Sequence, residues 1–86
     1  MQMAERTYWP LMIYRQNAGI DTNQLMESMG VTHNTINRIE RGGIVKRVTA
    51  ARYLQTLGID LNNPQTIPAC LKIINHGDRV AIEFQN

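Results

Sequence analysis

The reactive and charged side chains of this chain of 86 residues fall into three groups. A basic run from Arg38 to Arg52 holds Arg38, Arg41, Lys46, Arg47 and Arg52 against Glu40 alone, in a chain whose net charge is only +2. A local surplus of this kind is a candidate footprint for a polyanion, although a solvated helix face can carry the same charges. Cys70, His33 and His76 supply a thiol and two imidazoles, the parts of a nucleophile with its base, but no orienting third group or oxyanion element accompanies them. Neither the cysteine nor the histidine spacing matches a metal site, and one cysteine forms no internal disulfide. No catalytic residue, metal or cofactor is therefore expected. Cys70 reads as a small core residue and His76 as a turn residue. Tyr8, Trp9 and Tyr14 could stack on unpaired bases, but their helical setting favours packing in a core or a dimer.

The length bounds what can hold these groups in place. A chain this short makes one domain and buries about two thirds of the surface that its unfolded form exposes, so association with a second copy is a plausible source of stability. No apolar run approaches the roughly 20 residues of a membrane helix. Met1 to Ala4 lead into no basic and apolar stretch with a small-residue cleavage site, so no secretory signal and a cytoplasmic location are expected.

Turn signals divide the chain into short elements. A first helix over about Thr7–Ala18 puts Leu11, Tyr14 and Ala18 on one face, with Pro10 in its first turn and Gly19 at its end. Asp21 and Thr22 offer capping oxygens for a second helix carrying Leu25 and Met29, which Gly30 stops. Thr32 can cap a third, to Glu40, in which Ile36 and Ile39 face inward; Gly42 and Gly43 end it. A fourth, about Thr49–Leu57, carries Ala50, Tyr53, Leu54 and Leu57 and closes at Gly58. After Leu61 the residues Asn62, Asn63, Pro64 and Pro68 mark an irregular connection. A β-hairpin follows, with strands near Cys70–Ile74 and Arg79–Phe84, and Val80, Ile82 and Phe84 on one face with Ala81 and Glu83 on the other. A further helix from Pro64 is disfavoured by Pro68 and by the β-branched Ile73, Ile74 and Val80. The expected fold is mainly α with a small β element: four short helices in residues 1–61, then a hairpin in residues 62–86.

The stretch from Gly19 to Gly42 has the form of a helix-turn-helix, in which a short helix and a tight turn hold a second helix so that its first residues enter a DNA groove. Leu25, Val31 and Ile36 can fill the wedge between the two helices. Gly19-Ile20, Leu25, Gly30-Val31-Thr32, Thr35-Ile36, Arg38-Ile39-Glu40-Arg41-Gly42, Thr49-Ala50, Arg52 and Leu57-Gly58 together resemble the Cro and phage-repressor, or xenobiotic-response-element-like, helix-turn-helix family. The resemblance covers about Leu11 to Leu61. It implies a lambda-repressor-like helical domain that binds double-stranded operator DNA, commonly as a dimer on an inverted repeat.

Transferred position by position, the resemblance implies that His33, Asn34, Asn37 and Arg38 face the groove and read bases. Their chemistry agrees, because Asn pairs bidentately with adenine and Arg with guanine, while His can donate to or accept from purine edges. It also implies phosphate contacts from Thr22, Thr35, Arg41, Lys46 and Arg47, near the helix N-termini and the loop after the third helix. Thr22 stands where relatives usually have Gln, and Met26 where they usually have a small Ala. Arg15 and Glu40 correspond to an ion pair that is structural in the family.

An open edge along Arg79–Phe84 exposes unpaired backbone groups, so Val80, Ile82 and Phe84 are the expected dimerisation residues. The leading expectation is a phage, plasmid or bacterial repressor that occludes a promoter as a homodimer. The alternative is an antitoxin that holds a toxin protein and regulates its own operon. A module without DNA binding fits less well, because the groove-facing positions are intact and polar.

Overall fold

The computed structural model describes residues 9–85. Four helices, α1 (Pro10–Asn17), α2 (Thr22–Met29), α3 (His33–Glu40) and α4 (Arg47–Thr56), pack against a sheet of β1 (Val45–Lys46), β2 (Leu71–His76) and β3 (Arg79–Phe84). This is the mainly helical fold with a C-terminal hairpin that the sequence leads one to expect, with one added strand.

Local chemistry sets the element boundaries. Pro10 occupies the first position of α1, where its missing N–H costs nothing. Thr7 and Tyr8, expected at the start of this helix, lie outside the described residues. Ala18, expected on the core face, instead follows α1 as its exposed C-cap; the inward positions are Leu11 and Arg15, one turn apart. Asp21 caps α2, accepting from the Gln24 amide at 2.8 Å while the Gln24 side chain accepts from the Asp21 amide at 2.9 Å. Gly30 ends α2 at φ 67°, a left-handed conformation costly for any residue with a Cβ. Thr32 holds the N-cap position of α3, but its hydroxyl makes no capping bond. Helix α4 begins at Arg47 rather than Thr49, because the preceding Val45–Lys46 pairs into the sheet and delivers an extended chain to its first turn.

The sheet order is β1-β3-β2, antiparallel throughout. Val45 lies opposite Val80 and Lys46 opposite Arg79; on the other side of β3, Leu71 pairs with Phe84 and His76 with Arg79. The expectation that Arg79–Phe84 is an edge strand holds only in part: β1 pairs with Arg79 and Val80, and among the described residues no strand lies beside residues 81–84 on that side. β3 is the middle strand over Arg79 and Val80, and among the described residues the edge open along its whole length is β2. The cause is a pairing of long sequence separation, between the segment after α3 and the hairpin, which no local pattern reveals.

One core runs across residue 61. Leu11, Leu25, Ile36, Tyr53 and Leu54 of the helices form a single cluster with Leu71, Val80 and Ile82 of the hairpin. Val80 is 0% exposed and Ile82 2%. At about 1.5–3 kcal/mol for each such side chain buried, both are committed to the chain's own interior. They are not a surface for a second copy, which corrects the dimerisation role expected for them; Phe84 is half-buried. Ala81, expected to point outward, is also buried.

Candidate nucleic-acid interface

Helix α3 is amphipathic in a strict geometric sense. At about 100° per residue, His33, Asn34, Asn37 and Arg38 share an arc of about 140°, and Ile36, Ile39 and Glu40 share the opposite one. Ile36, Ile39 and Glu40 are buried, whereas His33, Asn34 and Arg38 are exposed and Asn37 is half-buried. Among the described residues, no side chain of these four makes a hydrogen bond or ion pair within the protein. Each of them keeps its donors and acceptors available to a ligand.

The helix is held at its C-terminal end by a buried polar cluster. Arg15 Nε donates to Glu40 Oε2 at 2.6 Å, a second guanidinium nitrogen of Arg15 lies 3.4 Å from Oε1, and the third donates to the Ile20 carbonyl at 2.8 Å. The Tyr53 hydroxyl donates to the same Glu40 Oε2 at 2.7 Å. Glu40 therefore ties α3 to α1 through Arg15 and to α4 through Tyr53. Among the described residues, no buried side-chain polar atom lacks a partner. A buried charge is tolerable only when it is paired and saturated in this way. Burial, reinforced by the bond to Glu40, pushes the Tyr53 phenol well above its ordinary value, so it stays protonated as a donor. Burial alone would lower the Arg15 guanidinium, but the Glu40 carboxylate outweighs it and raises it. The Arg15–Glu40 pair is present where the sequence placed it. The Tyr53 hydroxyl was missed as its third member; its signal was a tyrosine rather than a phenylalanine at a core position, since a buried phenol requires a partner.

The expected phosphate contacts are more scattered. Arg41 is the exposed C-cap of α3, and falls on the same arc as the four polar residues. Lys46 and Arg47, both exposed, follow as the end of β1 and the start of α4. Arg47 also spends one guanidinium nitrogen on Asn75 Oδ1 at 3.0 Å, and its amide donates to the Asp78 carbonyl at 3.3 Å. Thr35 is half-buried within α3. Thr22 is the first residue of α2 and lines a shallow cleft with Arg15, Gln16, Gly19, Ile20 and Asp21, a lining that includes nothing from α3.

Gly43 was read from the sequence only as a helix end, yet it positions Arg38. Its amide donates to the Arg38 carbonyl at 2.8 Å, and a Cβ there would lie 2.7 Å from Arg38 Cγ and 2.9 Å from Arg38 O. The close approach of the chain behind Arg38 requires a glycine. Cys70 and His76, by contrast, flank opposite ends of β2, and His33 is on α3, so the three are not gathered into a nucleophilic site.

No curated protein and no solved structure matches the chain. The model of a helix-turn-helix family matches residues 11–62, a span that contains α1 from its second residue, all of α2 to α4, the buried cluster and the exposed arc of α3. The chain belongs to this Cro/C1-type helix-turn-helix family of DNA-binding transcription regulators.

Proposed function

We propose that the protein is a sequence-specific repressor that binds an inverted-repeat operator as a homodimer and occludes a promoter. The observation that carries this reading is the outward arc of α3, whose His33, Asn34 and Arg38 are exposed and, among the described residues, without internal partners, while its inward arc is locked. In this reading α3 lies in the major groove; His33, Asn34, Asn37 and Arg38 contact base edges; and Thr35, Arg41, Lys46 and Arg47 set the register on the phosphates. Thr22 contributes a hydroxyl at most. A second copy adds along the open edge of β2, whose outward amides and carbonyls have, among the described residues, no strand beside them.

Selection from a random duplex pool at about 150 mM salt tests specificity, because lower salt rewards any basic protein through counterion release. An enriched inverted repeat is expected, and no enrichment would overturn the repressor. Amide exchange as a function of concentration tests the dimer: outward β2 amides should gain protection as the dimer forms. A protein that stays monomeric on its operator would refute that part.

A further inference from the structure

The register of the sheet places three basic side chains in one row. Lys46 lies opposite Arg79, and Arg79 opposite His76, so the three cross the sheet side by side on its outer face, all exposed. With strands about 4.8 Å apart, the row is about 10 Å wide. Lys46 and Arg79 are like charges directly opposite one another, an arrangement that destabilises a sheet. Among the described residues the one ion pair is Arg15–Glu40, so neither Asp78 in the hairpin loop nor Glu83 on the same face makes an ion pair with the row. Lys46 and Arg47 also stand at the start of α4, where the helix dipole disfavours cations. The folded chain thus bears two electrostatic costs at one place.

The sheet face that bears this row meets the end of the recognition helix further along the strands. Arg41, on the outward arc of α3, lines a cleft of about 260 Å³ with Ile74, Ala81 and Glu83, which share the outer sheet face with the row. The Arg47 bonds to Asn75 and Asp78 fix the hairpin tip to the start of α4, so the row keeps its place relative to α3.

We infer that the outer face of the hairpin is a second DNA-backbone contact, in which Arg79 and His76 extend the line of Arg41 and Lys46 onto phosphates flanking the bases read by α3. This rests on the proposed groove binding of α3. A DNA strand presents one phosphate per about 3.4 Å of helix axis, so a row of this width meets two or three. Binding there relieves both costs, and it carries no sequence information because phosphates are the same at every step.

The test compares the wild-type protein with Arg79→Ala, His76→Ala and the double variant, and with Lys72→Ala, which lies on the same face opposite Glu83. The logarithmic salt dependence of binding should fall by about 0.9 for each phosphate that the variant no longer neutralises. Affinity should drop equally for operator and unrelated duplex, hydroxyl-radical protection should recede from the flanking phosphates, and Lys72→Ala should match the wild type. Arg79→Gln repeats the measurement with a side chain of similar length, and unchanged melting temperatures verify folding. Unchanged slopes and footprints in protein that still selects an operator would overturn this inference alone, including in favour of an acidic protein partner for the row. A wild-type protein that selects no operator would overturn the groove reading on which it rests.

Discussion

Helix α3 bears polar side chains on both of its arcs, and the two sets have opposite fates. Glu40 turns inward, where Arg15 and Tyr53 occupy both of its oxygens. His33, Asn34 and Arg38 turn outward and, among the described residues, have no partner within the chain. The same residue chemistry serves architecture where it is saturated and recognition where it is left open. The contrast separates two kinds of substitution: inward changes should act on stability, and outward changes on binding at constant stability.

The largest effect belongs to the inward set. Glu40→Ala leaves the Arg15 guanidinium buried without its carboxylate, and should cost about 3–5 kcal/mol in denaturant unfolding. A cost below about 1 kcal/mol would mean that the cluster does not hold α3. Tyr53→Phe removes one bond to a charged acceptor and should cost about 1.5–3 kcal/mol at neutral pH. It should also change the alkaline limb. The folded protein retains the Tyr53 proton above the ordinary tyrosine value of about 10, whereas the unfolded chain releases it. Stability supplied by this group is therefore fully present below that value and falls as pH rises beyond it. Unfolding measured between neutral and alkaline pH should show this decline in the wild-type protein and a shallower one in Tyr53→Phe; parallel declines would refute the assignment.

The outward set should behave in the converse way. Arg38→Ala and Asn34→Ala should change stability by no more than about 0.5 kcal/mol. Each should lose about 1–3 kcal/mol of discrimination at one base pair of the selected operator. Equal weakening on every sequence would demote these residues to phosphate contacts. Gly43→Ala sharpens the comparison, because its methyl group presses on Arg38 from behind and should relax specificity at the base pair that Arg38→Ala affects. The smallest effect is that of Arg41→Ala, which should lower the salt slope by about one unit and leave the preferred sequence unchanged.

Much of this molecule is legible along the chain. Proline at the start of α1, the Asp21–Gln24 capping box and the left-handed Gly30 place three helix boundaries by local rules of backbone and hydrogen bonding. Periodicity turns Ile36 and Ile39 inward, and with them turns His33, Asn34 and Arg38 outward. The family resemblance rests on those same positions, which is why the fold and the recognition helix could be named from residues alone.

Contacts between distant segments could not be read in this way. The Tyr53 hydroxyl meets Glu40 across 13 residues, and Val45 meets Val80 only when α3 delivers the chain to the hairpin. That pairing puts the start of β3 in the middle of the sheet and, among the described residues, leaves β2 as the edge open along its whole length. It also sets Lys46 beside Arg79 and His76, from which it is far removed in sequence. Local steric and capping rules act over a few residues, so sequence determines where the elements lie and which face of each is apolar. Strand order, a shared proton donor and a row of charges depend on which elements meet, and only the packing of the whole chain decides that.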